Sequence, residues 1–449
     1  MIRVKVYKYR WVILAIYCAL SVINYMQLLQ FVIIANIISK FYNVDEFPVD
    51  LTCLIFYIAY IVLLLPISYL IEKCSLKFTF ATAALLTLVG NLLKLLGSDP
   101  SRFWTIVVAQ GLCAVAQIYL ASVPSKVATT WFGSSQVSTA CAVAILGMQL
   151  GAALGCVVSP YLVEMGDRTE SQLFDMFLYQ AIATGVVFLV VVLFFRSKPA
   201  LPPSPSQLAL VDRDVKEPYM KQVLTMFKER NFWMIIWSLG LPTGVLNAIG
   251  LIENSIYLNY FPGAESDVGL VGFLAIIMGG CVGSVIFGVI LDKTHKFKLV
   301  SFVILISSSI SYVPVVISLV EKSRIGSFIA IPLFGFCLTP AMMAGFEYIV
   351  EATYPVPESI SCAAFNAFLY LFTIILTLTF EQLIDSIGYL NTFFTIEGIL
   401  LSSTVVSLLV KSDLKRRDAN MNDVATPAGN AAASQPYDAA TRAKFSLGY

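Results

Sequence analysis

Along almost its whole length the chain alternates long apolar runs with short polar links. A bilayer core of about 30 Å is crossed by about 20 apolar residues in a helix. On that measure the runs predict spans at residues 11–34, 51–71, 78–97, 103–124, 137–159, 173–195, 231–257, 268–291, 299–320, 325–350, 359–384 and 391–410. Only the link 196–230 and the polar tail from 411 are long. The first run exceeds the roughly 7–15 apolar residues of a signal-peptide core, and no small-residue cleavage site follows it. It therefore reads as the first span.

The polar segments sort by charge. Arg3, Lys5, Lys8 and Arg10 precede span 1, and Arg196, Lys198, Arg213, Lys216, Lys221, Lys228 and Arg230 lie in the central link. Lys293, Lys296 and Lys298 follow span 8, and Lys411, Lys415, Arg416 and Arg417 open the tail. With twelve spans all of these fall on one side, against Lys40, Arg102, Arg168, Lys322 and Arg324 on the other. Cytoplasmic loops carry the excess of Lys and Arg, so both termini are expected in the cytoplasm and the plasma membrane is the expected location. The organisation predicted is an N-terminal six-helix half (1–195), a Pro-rich cytoplasmic linker (196–230), a C-terminal six-helix half (231–410) and a largely disordered cytoplasmic tail (411–449).

Composition agrees with lipid as the solvent. The chain is 58% hydrophobic and 13% charged, against about 45–50% and about 25% in soluble domains. A net charge of +1 gives no basic field for nucleic acid. The nine cysteines include several inside apolar runs, where they read as small buried hydrophobes. No metal-ligand cluster, nucleophile–base pair or Gly-x-x-x-x-Gly-Lys-Ser/Thr loop is present, so neither an enzyme, an ATP-driven pump nor a cofactor is expected.

The two halves echo each other. After span 2 comes Ser68-Tyr-Leu-Ile-Glu72-Lys73-Cys-Ser-Leu-Lys77, and after span 8 comes Gly288-Val-Ile-Leu-Asp292-Lys293-Thr-His-Lys296-Phe-Lys298. Each has an acid–base pair at a tight turn, 220 residues apart (292 minus 72), suited to a latch between conformations. Two six-span halves with this turn resemble the major facilitator superfamily, in which the halves rock about a site at the midplane. The same offset places Gln27 on Asn247, and Asn36 within two residues of Asn254. Amides inside a span must be paired or face water. Gln27 and Asn247 are therefore expected to line the cavity or to bond a neighbouring helix, and Asn36 and Asn254 to meet at an outer gate.

Other polar groups sit where a carrier would use them. Glu253 lies near the outer third of span 7, either at the cavity mouth or reaching the interface. Glu347 and Glu351 lie at the inner end of span 10; Glu347 and Glu253 are the acids that would carry a coupled proton. Glu397 in span 12 is expected at an interface, and Lys94 in span 3 is expected to snorkel outward. Gln110 and Gln117 share one face of span 4. Gly147, Gly151 and Gly155 form a packing stripe on span 5 that leaves Gln149 facing away from it. Asn366 and Tyr370 are neighbours on one face of span 11. Tyr25, Phe31, Tyr57 and Tyr60 are either cavity walls or packing residues.

A closer likeness rests on Ser39-Lys-Phe-Tyr42, Pro124-Ser-Lys-Val-Ala-Thr-Thr-Trp-Phe-Gly133, Val137-Ser-Thr-Ala-Cys141, Gly147-Met-Gln149-Leu-Gly151, Gly345-Phe-Glu347, Glu351-Ala-Thr-Tyr-Pro355 and Lys411-Ser-Asp-Leu-Lys-Arg416. From about residue 8 to 417 the chain resembles the feline leukaemia virus subgroup C receptor-related (FLVCR) family. The resemblance implies transport of an organic cation or amino-alcohol of the choline/ethanolamine class by a monomeric carrier in a lipid bilayer. It carries haem export as an alternative, to which the single loop histidine, His295, adds no internal ligand pair. A non-transporting receptor or scaffold is the third reading. Family choline transporters place a Trp in span 1 and a Tyr in span 7 around the ammonium, where this chain has Leu28 and Asn247. The family's span 5 glutamine is kept as Gln149, and its span 11 glutamine is replaced by Tyr370. Asn36, Asn254 and Glu358 match positions that the family associates with gating. The substrate residues implied are thus Gln27, Leu28, Gln117, Gln149, Asn247, Asn366 and Tyr370.

Overall fold

The computed structural model describes residues 6–133, 136–201, 224–294, 296–354, 356 and 358–411. The chain is an all-α membrane protein with twelve spans: Arg10–Tyr42, Phe47–Ile71, Leu76–Leu96, Pro100–Ala121, Thr139–Leu162, Thr169–Phe194, Arg230–Tyr260, Glu265–Leu291, Phe297–Val320, Arg324–Thr353, Ile360–Ile387 and Tyr389–Leu409. Large apolar side chains such as Trp104, Val108, Ile182, Leu193, Ile310 and Phe394 stay exposed along them. A water-soluble surface would not carry such a belt, and it is the face that meets lipid. The segments 202–223 and 412–449, where the tether and the disordered tail were expected, lie outside the described residues.

Each half has its own core. Tyr17, Leu20, Tyr60, Phe80, Ala116, Trp131 and Ala144 belong to the first. Phe232, Val245, Ile304, Phe334, Tyr348 and Phe365 belong to the second, which also reaches Ile33 and Cys156 of the first half. The end of the bundle opposite the residues flanking both termini is called outer below. There a smaller cluster joins Ile34, Ile37, Ile38 and Tyr42 to Val49, Phe103 and Phe177.

Span 1 is longer than the apolar run predicts, because Ile37, Ile38 and Tyr42 continue an inward-facing stripe past residue 34. It is also broken. A helix over Arg10–Leu29 gives way to a tight turn over Val32–Ile34 and restarts at Ala35. Neither glycine nor proline lies between Leu20 and Tyr42, so neither residue type makes the break. The second half bends by ordinary means: wide turns over Ile236–Gly240, just before Pro242, and over the glycine-rich Ile277–Gly283, and a restart at Pro340 within span 10.

The glycine stripe of span 5 packs on span 1. A Cβ at Gly151 would stand 2.6 Å from the Val22 carbonyl oxygen, and one at Gly155 2.5 Å from that of Met26. The halves touch along span 5 with span 8 and span 2 with span 11, while the outer segment of span 1 meets spans 7 and 8.

Candidate functional site

The centre of the molecule is built from aromatic rings on spans 2 and 11. Tyr57 and Tyr60, one turn apart, both meet Tyr370, each with ring centroids 4.9 Å apart, at interplanar angles of 44° and 89°. Such tilted and edge-on pairs are the favoured geometries of aromatic rings. Asn366, one turn before Tyr370, donates to the Tyr60 hydroxyl at 3.4 Å. Tyr25 of span 1 packs, like Tyr370, against the core of the first half, with the Gln117 side chain of span 4 near it. Leu28 packs with Tyr370 against Val32, Cys53, Leu54, Tyr57 and Leu251. Asn247 donates to Thr373 Oγ1 at 3.4 Å, on the same stretch of span 11. Residues from spans 1, 2, 4, 7 and 11 therefore converge, drawn from both halves.

Gln149 enters from span 5. Its amide lies over Gly280, where a Cβ would stand 3.0 Å from Nε2. The glycine, inside the wide turn of span 8, makes room for a polar side chain between the halves. Such widened turns are frequent at functional sites.

Above the centre the halves are clasped. Asn254 donates to the Ile33 carbonyl at 2.7 Å and to Asn36 Oδ1 at 3.4 Å, and Asn36 donates to Glu265 Oε1 at 3.1 Å. Spans 1, 7 and 8 are thereby tied together, the first from one half and the other two from the other. Glu265 is a partner that sequence reasoning missed. Arg324, paired with Asp267, fastens span 10 to span 8 at the same level.

Several expected residues stand elsewhere. Gln27 is fully buried inside the first half, where it bonds neighbouring helices, the second of its two expected roles, and does not stand beside the tyrosines. Its Oε1 accepts from Gln30 Nε2 at 3.1 Å and from Lys94 Nζ, and its backbone carbonyl accepts from Gln110 Nε2 at 2.9 Å. Lys94 does not snorkel: it is 0% exposed, with Nζ 5.5 Å from the Phe31 ring centroid, because the Gln27 amide of span 1 gives it an interior partner. Phe31 packs there and against Phe177, away from the centre. The sequence signal for this cluster was the spacing of Asn24, Gln27 and Gln30, and of Asn91 and Lys94, each on one helical face.

Glu253 does not reach the outer interface. Its Oε2 faces Gly272 of span 8 beside Cys156 of span 5, and its Oε1 is buried without a hydrogen bond. Glu397 is likewise not interfacial: it lies eight residues into span 12, in a groove with Tyr312, Val316 and Phe393. Glu347 is half-buried on the inner part of span 10. At the latch turns, Lys73 lies over the Tyr69 ring at 5.6 Å and Lys293 is exposed. The side chains of Glu72, Asp292 and Glu358, and all of His295, lie outside the described residues.

Comparison with known proteins places this geometry in context. A family profile described as Major Facilitator Superfamily matches residues 14–377. The chain is 34% identical over 423 residues to the choline/ethanolamine transporter flvcr2a of Danio rerio, covering 93% of this chain and 89% of the relative. It is 33% identical to the choline/ethanolamine transporter FLVCR2 of Homo sapiens, over 93% of this chain and 80% of that one. Among solved structures, a bacterial homologue of the human lysosomal transporter Spinster superposes with a TM-score of 0.65 at 11% identity, over 93% of this chain and 99% of the other.

Proposed function

The chain belongs to the Major Facilitator Superfamily and, within it, to the FLVCR family of transporters, and on that premise we propose that it carries choline and ethanolamine through the tyrosine-lined centre. It is a multi-pass membrane transporter that moves a small organic solute by alternating access. The observation that carries the proposal on cargo is the meeting of Tyr57, Tyr60 and Tyr370 across the two halves. A quaternary ammonium has no N–H to donate, so it is held by the negative faces of aromatic rings. Tyrosine supplies those faces here, in place of aromatic side chains at Leu28 and Asn247. Gln149, Asn366 and the Tyr25–Gln117 pair supply hydrogen-bonding groups for the cargo's hydroxyl, and their carbonyl oxygens accept from the N–H groups of a primary ammonium.

The proposal includes the setting. The carrier works as a monomer in the plasma membrane; its termini lie in the cytoplasm, an orientation supported by the distribution of Lys and Arg. It changes the position of its cargo and not its bonds. Binding to the folded state raises thermal stability by mass action, by about 2.7 kcal/mol at a hundred times Kd. Purified protein is therefore expected to melt higher with choline and with ethanolamine, and unchanged with a vitamin or porphyrin panel. Stabilisation by a porphyrin alone would overturn the proposal.

A further inference from the structure

We propose that Lys94 is a positioning residue for the outer gate, its buried ammonium holding the break in span 1 that aims the outer segment of that span at span 7. The break lacks proline and glycine, so it needs a side chain inserted in the helical ladder. Gln110 is that side chain: its Nε2 takes the Gln27 carbonyl that a continuous helix would give to the Phe31 N–H. The rest of the break is held by a closed ring of contacts. Lys94 donates to Gln27 Oε1, which also accepts from Gln30 Nε2 at 3.1 Å. Gln180 of span 6 donates to Gln30 Oε1 at 2.7 Å. Thr184 donates to the Gln180 carbonyl at 2.7 Å and accepts from Asn91 at 2.8 Å, one turn before Lys94 on span 3.

The ammonium favours the broken form specifically. It lies beside Gln27 and over Phe31, at the C-terminal end of the helix Arg10–Leu29, where the helix dipole is negative and the last carbonyls lack intrahelical partners. If span 1 ran on as one helix, that end would vanish. A buried ammonium bonded to the Gln27 amide is a costly way merely to join two helices, since apolar replacement of buried charge is often neutral or stabilising. Beyond the break, Ile33 and Asn36 are the groups that Asn254 grips. By holding the break, Lys94 keeps the outer segment where Asn254 grips it and so biases the gate toward closure.

The inference rests on the carrier reading for what the gate serves, but its test needs no cargo. Spin labels introduced as unnatural amino acids at Lys40 and Asn259, the exposed outer ends of spans 1 and 7, report the gate distance in lipid nanodiscs by pulsed dipolar spectroscopy. Lys94→Met is expected to raise the ratio of long to short distances by about two- to thirtyfold, the range of coupling through such networks. Asn254→Ala is expected to do the same, and the double variant to add little to either. Lys94→Arg is expected to keep the short distance. If Lys94→Met does not fold, Gln180→Leu opens the ring from span 6 and carries the same expectation. A wild-type distance distribution in Lys94→Met, or in Gln180→Leu where that variant substitutes, overturns the inference. Absence of choline flux would leave it standing.

Discussion

At Tyr370 two ring contacts and one neighbouring amide meet: Tyr57 obliquely, Tyr60 edge-on, and Asn366 one turn away on the Tyr60 hydroxyl. A desolvated cation–π contact is worth about 2 kcal/mol, or roughly thirtyfold in affinity. Tyr370→Ala is expected to raise the KM for choline by about that factor, while Tyr370→Phe, which keeps the ring, stays near wild type. Ethanolamine should suffer less, since its N–H groups can still donate to side-chain carbonyls; paired uptake kinetics check both. Asn366 and Tyr370 were legible in the sequence from their spacing on one face. Tyr57 and Tyr60 were visible but ambiguous, because an aromatic in a span packs far more often than it binds. Gln27 was assigned from symmetry between the halves, and symmetry fails where the first half buries its own polar ring. An offset along the chain gives depth in the membrane; the face of the helix is settled by partners on other spans.

Among the elements, span 1 carries the most. Its inner helix receives the glycine stripe of span 5, its break lies on the Lys94 ring, and its outer segment is held by Asn254 of span 7. Gly151→Val forces a side chain into the Val22 carbonyl, 2.6 Å from the Cβ position. Overpacking of this kind costs about 1–3 kcal/mol, so a lower melting temperature and loss of folded carrier are expected. Gly185→Ala, whose Cβ would meet only Leu88 at 3.8 Å, is expected to melt like wild type. The number of spans and the stripe were readable because both are periodic in apolar or small residues. The break was not, since the groups that bond to it, Gln110, Lys94 and Gln180, come from other spans.

For the whole molecule, the proposal joins the outer clasp and the tyrosine centre in one transport cycle. With the outer side clasped by Asn254, Asn36 and Glu265, rocking the halves apart must break these bonds, each worth about 0.6–2 kcal/mol in a membrane protein. Asn254→Ala is therefore expected to favour the outward-open state, giving a lower KM for external cargo and a lower maximal uptake rate, whereas a folding defect would lower the rate with KM unchanged. The central claim is that a tyrosine-lined site shared by both halves moves choline and ethanolamine. Counterflow of labelled choline into proteoliposomes preloaded with unlabelled choline or ethanolamine, compared between wild type and Tyr60→Ala at equal reconstituted amounts, tests it most directly. Saturable accumulation in the wild type that either preload supports, and that Tyr60→Ala loses, is the predicted result. No saturable accumulation in the wild type, or full accumulation in Tyr60→Ala, would contradict it.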